Sequence, residues 1–75
     1  MKPVFIDTSG LFAFLVAEDA DHAEATRLLR ELRDQRRRLV TTNAVVVETY
    51  ALLLHRVRNG RELAIRFLEL VERGF

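Results

Sequence analysis

Two carboxylates stand out by where they fall in the chain. Asp7 closes a short apolar run, Val4-Phe5-Ile6, and is succeeded at once by Thr8, Ser9 and Gly10. Glu48 sits in the mostly apolar stretch from Ala44 to Leu54, just after a second short run, Leu39-Val40. Carboxylates are hard oxygen donors, and two of them brought together suit a hard divalent cation such as Mg²⁺ or Mn²⁺. Plainer uses exist for both. Asp7 or Ser9 can cap the next helix, and Glu48 can pair with an Arg or simply reach solvent. The pattern alone leaves both uses open. The two histidines add little: His22 has no second His or Cys beside it and reads as a surface or locally bonded group, and His55 reads as structural.

For the two acids to meet, the elements around them must be a strand and a helix in each case. Val4 to Asp7 is expected to be a strand buried on both faces, ending in a carboxylate where a helix begins. Ligand crevices in open α/β sheets form at that end of parallel strands. Leu11 to Ala17 is apolar all round and reads as a buried helix. A second helix is expected from Asp21 to about Arg37, with Asp21 and Glu24 in capping-box spacing and Ala25, Leu28, Leu29 and Leu32 as its apolar stripe. Leu39 to Thr42 reads as a second strand, parallel to the first because a helical crossover lies between them. Thr42 or Asn43 then caps a third helix, Ala44 to about Arg58, with Val46, Tyr50, Leu53 and Val57 as its stripe and Val45, Thr49 and Leu52 beside it. Helical side chains lean toward the N-terminus, so Glu48 is expected to point back toward the strand ends, on a face of small apolar residues where an acid requires a reason. Asn59-Gly60 is a helix stop and turn. The fourth helix runs from Arg61 to Arg73, with Glu62–Arg66 and Glu69–Arg73 as i,i+4 pairs and Gly74 after its end.

At 75 residues the chain is at most one small domain. It has no Cys, which excludes disulfides and thiolate zinc sites. Its longest apolar run, Leu11 to Ala17, is far too short to span a membrane, and nothing after Lys2-Pro3 resembles a signal peptide, so a cytoplasmic location is expected. Net charge is +1, but eleven of the twelve basic residues are Arg, and Arg36-Arg37-Arg38 are consecutive. The Arg fork suits phosphate, which permits a nucleic-acid partner, although such a cluster can also be a solvated helix end beside its own dipole.

The stretch Val-Phe-Ile-Asp-Thr-Ser-Gly-Leu-Phe-Ala-Phe-Leu resembles the opening of a PIN domain. Glu-Asp-Ala-Asp-His-Ala-Glu-Ala, leading into an Arg-rich helix, is similar to the next segment of that family. So is Leu-Val-Thr-Thr-Asn-Ala-Val-Val-Val-Glu-Thr-Tyr-Ala-Leu-Leu to the family's second signature, continued by Asn-Gly-Arg-Glu-Leu-Ala-Ile-Arg-Phe-Leu. The likeness runs through essentially the whole chain in order and spacing. Its nearest flavour is the small prokaryotic type that includes VapC-like toxins of toxin–antitoxin pairs.

The resemblance implies an α/β fold, the PIN-like three-layer arrangement on a parallel sheet, here in the order β-α-α-β-α-α. It implies a metal-dependent ribonuclease that uses Mg²⁺ or Mn²⁺ held by acids at the carboxyl edge of the sheet. Asp7 matches the first acid and Glu48 the second. Thr8 and Ser9 match the segment lining the site, and Thr42 and Asn43 the start of the Glu-bearing helix. In such a site a metal activates water for in-line attack on a phosphodiester. RNA is the implied substrate and an antitoxin protein an implied partner. The sequence also departs from the family. No Asp comes after Asp34, and Glu62, Glu69 and Glu72 belong to the solvated face of the last helix, so the family's later acids are absent. Residues 1–75 are therefore expected to form the N-terminal half of a single PIN-like domain. A parallel sheet of two strands should not stand alone in water, and self-association through the bare sheet edge or helix faces is expected. The alternative from another class is a non-catalytic PIN module that binds a protein partner or another copy of itself. A phosphoryl-transfer enzyme of the haloacid-dehalogenase type is disfavoured, because Ser9 stands where it requires a second Asp.

Overall fold

A computed structural model describes residues 2–74. The chain runs β1 (Val4–Phe5), α1 (Thr8–Leu15), α2 (His22–Asp34), β2 (Leu39–Val40), α3 (Asn43–Arg56) and α4 (Gly60–Glu72). This is the expected β-α-α-β-α-α order, and β1 and β2 pair in parallel, Val4 opposite Leu39 and Phe5 opposite Val40. The Val4 amide donates to the Arg38 carbonyl at 2.8 Å and the Ile6 amide to the Val40 carbonyl at 2.9 Å. Thr41 Oγ1 then donates to the Ile6 carbonyl at 2.7 Å, tying the two strand ends together after the ladder has stopped.

The core lies among the helices. α3 packs along α4 and against α1, and α1 also packs on α2. Leu11, Val16, Leu53, Ala64 and Phe67 form the buried cluster, with Ile6, Val45, Val46, Tyr50, Val57 and Leu63 packed around it. The stripe expected on α3 is thus the one that packs, and Thr49 is buried within it, its hydroxyl donating to the Val45 carbonyl at 2.7 Å. That back-bond satisfies a polar group that would otherwise be costly to bury. Gly60 has a steric purpose. A Cβ there would overlap the Leu53 carbonyl oxygen, so α4 can approach α3 this closely only without a side chain. The left-handed turn residue between these helices is Asn59, at φ 58°, and α4 begins at Gly60 rather than at Arg61.

Several expectations require correction. β1 is not buried on both faces: Phe5 is 53% exposed. Phe5 and Val40 share one face of the ladder and Ile6 lies on the other, against the helices. Only one face is covered, because no helix among the described residues packs on the Phe5 side. α1 begins at Thr8 instead of Leu11, since Asp7 supplies its cap. The capping box at Asp21 does not form. The Asp21 side chain makes no cap bond, its amide instead meets Asp19 Oδ1 at 2.8 Å, and Glu24 is taken up by Arg27. α2 ends at Asp34 rather than near Arg37 and buries none of its residues; Leu28, assigned to its stripe, is 45% exposed. α3 ends at Arg56, short of Arg58. Of the two pairs expected on α4, Glu62–Arg66 forms at 2.7 Å, whereas Glu69–Arg73 is not among the ion pairs of the described residues. A shallow groove bordered by Leu11, Phe14, Leu29, Leu39 and Leu70 remains open, and Thr26 Oγ1 beside it is buried without a hydrogen-bond partner.

Candidate metal centre

Both strands point the same way, so the helix after each one begins at the same edge of the sheet. Asp7 is the N-cap of α1 and Thr42 the N-cap of α3. Both hold extended backbone there, φ −93° and ψ 180° for Asp7 and φ −116° and ψ 161° for Thr42. Such geometry turns the side-chain oxygen back onto the amide of the third residue on. Asp7 Oδ1 accepts from the Gly10 amide at 2.9 Å and from Ser9 Oγ at 3.1 Å. Thr42 Oγ1 accepts from the Val45 amide at 3.2 Å. The plain use foreseen for Asp7, a helix cap, is therefore realised.

Capping does not exhaust the carboxylate. Asp7 is exposed, and among the described residues no donor reaches its Oδ2. The Ser9 and Gly10 bonds fix one oxygen and so aim the other. Gly10 is part of this arrangement, because a Cβ on it would sit 3.3 Å from Asp7 Oδ1 and press on the cap. Sequence reasoning noted Gly10 only as a helix start. It also missed Thr41, assigned to the strand, whose hydroxyl clamps the β1 end beside Asp7. A Thr directly before an N-cap Thr carries no signal that would have marked it.

Thr8, Ser9, Thr42 and Asn43 all lie at this edge, in or next to the first turns of α1 and α3. Glu48 lies further along α3, in its second turn, and is exposed. Of the apolar neighbours expected around it, Ala44 is exposed and Ala51 and Leu52 are half-buried, so Glu48 itself reaches solvent and requires no partner to account for it. No hydrogen bond or ion pair engages Glu48 among the described residues. His22 Nδ1 lies 2.9 Å from the Ala13 carbonyl, as expected for a locally bonded histidine, and His55 is exposed on the last turn of α3.

The donors at this edge are carboxylate, hydroxyl and amide oxygens, without a thiol or imidazole. Such a set fits Mg²⁺ or Mn²⁺ in kind and argues against zinc or copper. In number the set is short: among the described residues no group of three or more His, Cys, Asp or Glu could hold a metal ion. No helix of the described residues is long and apolar enough to cross a membrane.

Comparison with curated proteins returns no match, and neither does comparison with solved structures. Comparison with protein-family models matches residues 4–74 to the PIN domain. That span takes in Asp7, both strands, all four helices and Glu48, so the order of elements and the acid at the end of β1 fall inside the match. The chain belongs to the PIN domain family, whose members are in general nucleases.

Proposed function

We propose that this chain carries the first part of a metal-dependent ribonuclease centre, with Asp7 as its principal ligand and Mg²⁺ or Mn²⁺ as its ion. The observation that supports this is the Asp7 carboxylate itself. One oxygen is fixed by Ser9 and Gly10 and the other is left for a ligand, at the edge where α1 and α3 both begin. Glu48 is the second ligand, through an intervening water, as suits an ion that keeps much of its hydration shell. When bound, the ion supplies Lewis acidity and an activated water for attack on a phosphodiester. Thr8, Ser9, Thr42 and Asn43 line the edge and offer hydroxyl and amide groups to the RNA backbone. Residues 1–75 then correspond to the N-terminal half of one PIN-like domain, and the remaining acids come from outside them. A role as the toxin of a toxin–antitoxin pair, with an antitoxin protein as partner and a cytoplasmic location, belongs to the same proposal.

Calorimetric titration with Mn²⁺ tests it. Wild type is expected to bind saturably, and Asp7→Asn to lose binding about tenfold or more while remaining folded, because Asn caps a helix as well as Asp does. RNA cleavage, if present, disappears with EDTA. Binding of equal strength in Asp7→Asn rejects Asp7 as the ligand.

One observation favours the non-catalytic reading. Leu28, Leu54, Ile65 and Leu68 are exposed, and a groove opens beside Leu29 and Leu70. A module that binds a protein partner or a second copy would use these faces and no metal.

A further inference from the structure

The Arg cluster lies at the opposite edge of the sheet from Asp7. Val4 bonds to the Arg38 carbonyl, and Arg37 donates from Nη2 and Nε to the Lys2 carbonyl at 3.0 and 3.3 Å. Lys2, Arg37 and Arg38 are thereby gathered where the strands begin, whereas Asp7 and Thr42 stand where they end. At strand rise the two edges are roughly 10–13 Å apart. The cluster therefore stands apart from Asp7, at the other end of the ladder.

Charge is segregated along this axis. Lys2, Arg33, Arg36, Arg37 and Arg38 share the amino edge with a single acid, Asp34, so the rest of the chain, with seven cations and ten acids, is net negative. Among the described residues Arg36, Arg37 and Arg38 make no ion pair, and Arg33 has only a long contact, 3.5 Å, to Asp34. Arg33 is the basic residue in the last turn of α2, beside its dipole, whereas Arg36, Arg37 and Arg38 follow the helix end.

The backbone makes Arg36 a further oddity. The Arg36 amide bonds to the Arg33 carbonyl and the Arg37 amide to the Leu32 carbonyl, both at 2.9 Å, a Schellman turn with Arg36 in the left-handed region at φ 56°. Glycine is the residue such a turn favours, and this chain places Gly74, at φ 77°, in the matching position after α4. After α2 it keeps an arginine there against that preference. The backbone of the three consecutive arginines is thus fixed by a capped turn and a sheet ladder, and the Arg37 side chain is anchored on Lys2, so less chain ordering is required on binding an anion.

We infer that Arg36, Arg38 and their neighbours at the amino edge form a phosphate-backbone contact surface for single-stranded RNA, separate from the Asp7 centre and across the sheet from it. The Arg fork matches phosphate and carboxylate alike, and RNA is favoured over an acidic protein segment because the cluster lies on the same small sheet as the edge proposed to act on RNA. The inference rests on the ribonuclease reading for its choice of nucleic acid, but its test needs no cleavage.

Fluorescence anisotropy of labelled oligouridine with the full chain in EDTA, across a salt series, reads the surface directly. The Arg36→Gly/Arg38→Gln double variant is expected to bind on the order of tenfold more weakly at ~0.1 M salt, with the slope of log affinity on log salt flattened by about 1.4, two single-strand phosphate contacts. Arg36→Gly alone is expected to weaken binding while raising Tm, a pairing that a merely structural arginine would not produce. Asp7→Asn is expected to bind RNA as wild type does, so a failed metal centre and a failed Arg surface give different results. Unchanged affinity in the double variant overturns the inference. So does an equal loss in a control pair at the α3–α4 turn, Arg58→Gln/Arg61→Gln. Preferential, Arg36-dependent binding of polyglutamate over oligouridine overturns it in favour of an acidic protein partner.

Discussion

In the α3–α4 hairpin, Leu53, Ala64 and Phe67 are sealed from solvent, whereas neither strand of the β1–β2 ladder contains a buried residue, nor does α2. The ladder strands are wholly apolar, so composition does not separate them from the hairpin, whereas α2 is the most polar of the helices. What differs is the number of surfaces each can meet. α3 has α1 on one side and α4 on another, close enough to exclude a Cβ at Gly60. The ladder has helices on one face only. The Asp7 edge sits across this divide, with the α1 and α3 caps positioned by the well-packed part and Asp7 itself delivered by the thin one.

This contrast can be broken from the strong side first. Phe67→Ala removes the largest buried side chain and is expected to cost about 3–5 kcal/mol. That rivals the whole stability of a chain this size, about 4–11 kcal/mol. Leu28→Ala, on the exposed side of α2, should change stability by no more than about 0.5 kcal/mol. Urea denaturation of the two variants side by side measures the difference; comparable losses would mean that α2 is buried in solution. Gly60→Ala comes next, at about 1–3 kcal/mol or more, since the new methyl meets the Leu53 backbone rather than a movable side chain. A midpoint unchanged from wild type would show that the hairpin is looser than the Gly60 geometry requires.

The smallest effect is electrostatic and lies on the weak side. Glu24 is hydrogen-bonded by Arg27, whose guanidinium holds the carboxyl below its usual value of 4.5 and is itself held more firmly protonated in return. Because the folded-state value is depressed, the contribution is present above 4.5 and is lost as pH falls through the lower folded value. Both groups are fully solvated, so the effect is small. In thermal melts, the gap between wild type and Glu24→Gln should close on acidification, and a gap that widened instead would reverse the sign.

Much of this architecture could be read from residue order. Val4 to Ile6, then Asp7, Ser9 and Gly10, specified a strand, a cap and a helix, because apolar alternatives at those positions cannot satisfy the first-turn amides. The parallel pairing came from the helical crossover, and the α3 stripe from its period. Other features depended on neighbours that periodicity cannot name. Leu28 keeps helical spacing with Leu32, yet nothing stands opposite it. Asp21 and Glu24 have capping-box spacing, but Asp19 and Arg27 reach those groups first. Glu48 occupies an apolar stretch, but its own position on α3 is open to solvent. Gly60 was legible as a turn and not as a close approach, since only the packed helices show what lies against it.

The ladder also bears on the order in which the chain assembles. Its partners are 35 residues apart in sequence, Val4 with Leu39 and Phe5 with Val40. Closing a loop of that length costs roughly 3 kcal/mol in chain entropy beyond the fixed term, and two short strands return little against it. The α3–α4 hairpin closes over a few residues and forms without that cost. α1 meets α3 across a similar separation, Leu11 and Leu53 sharing one cluster, so Asp7 reaches its final position only when these long-range contacts close, after the α3–α4 hairpin. A chain emerging from synthesis or recovering from stress would then pass through a state with its α3–α4 hairpin formed and its Asp7 edge still open.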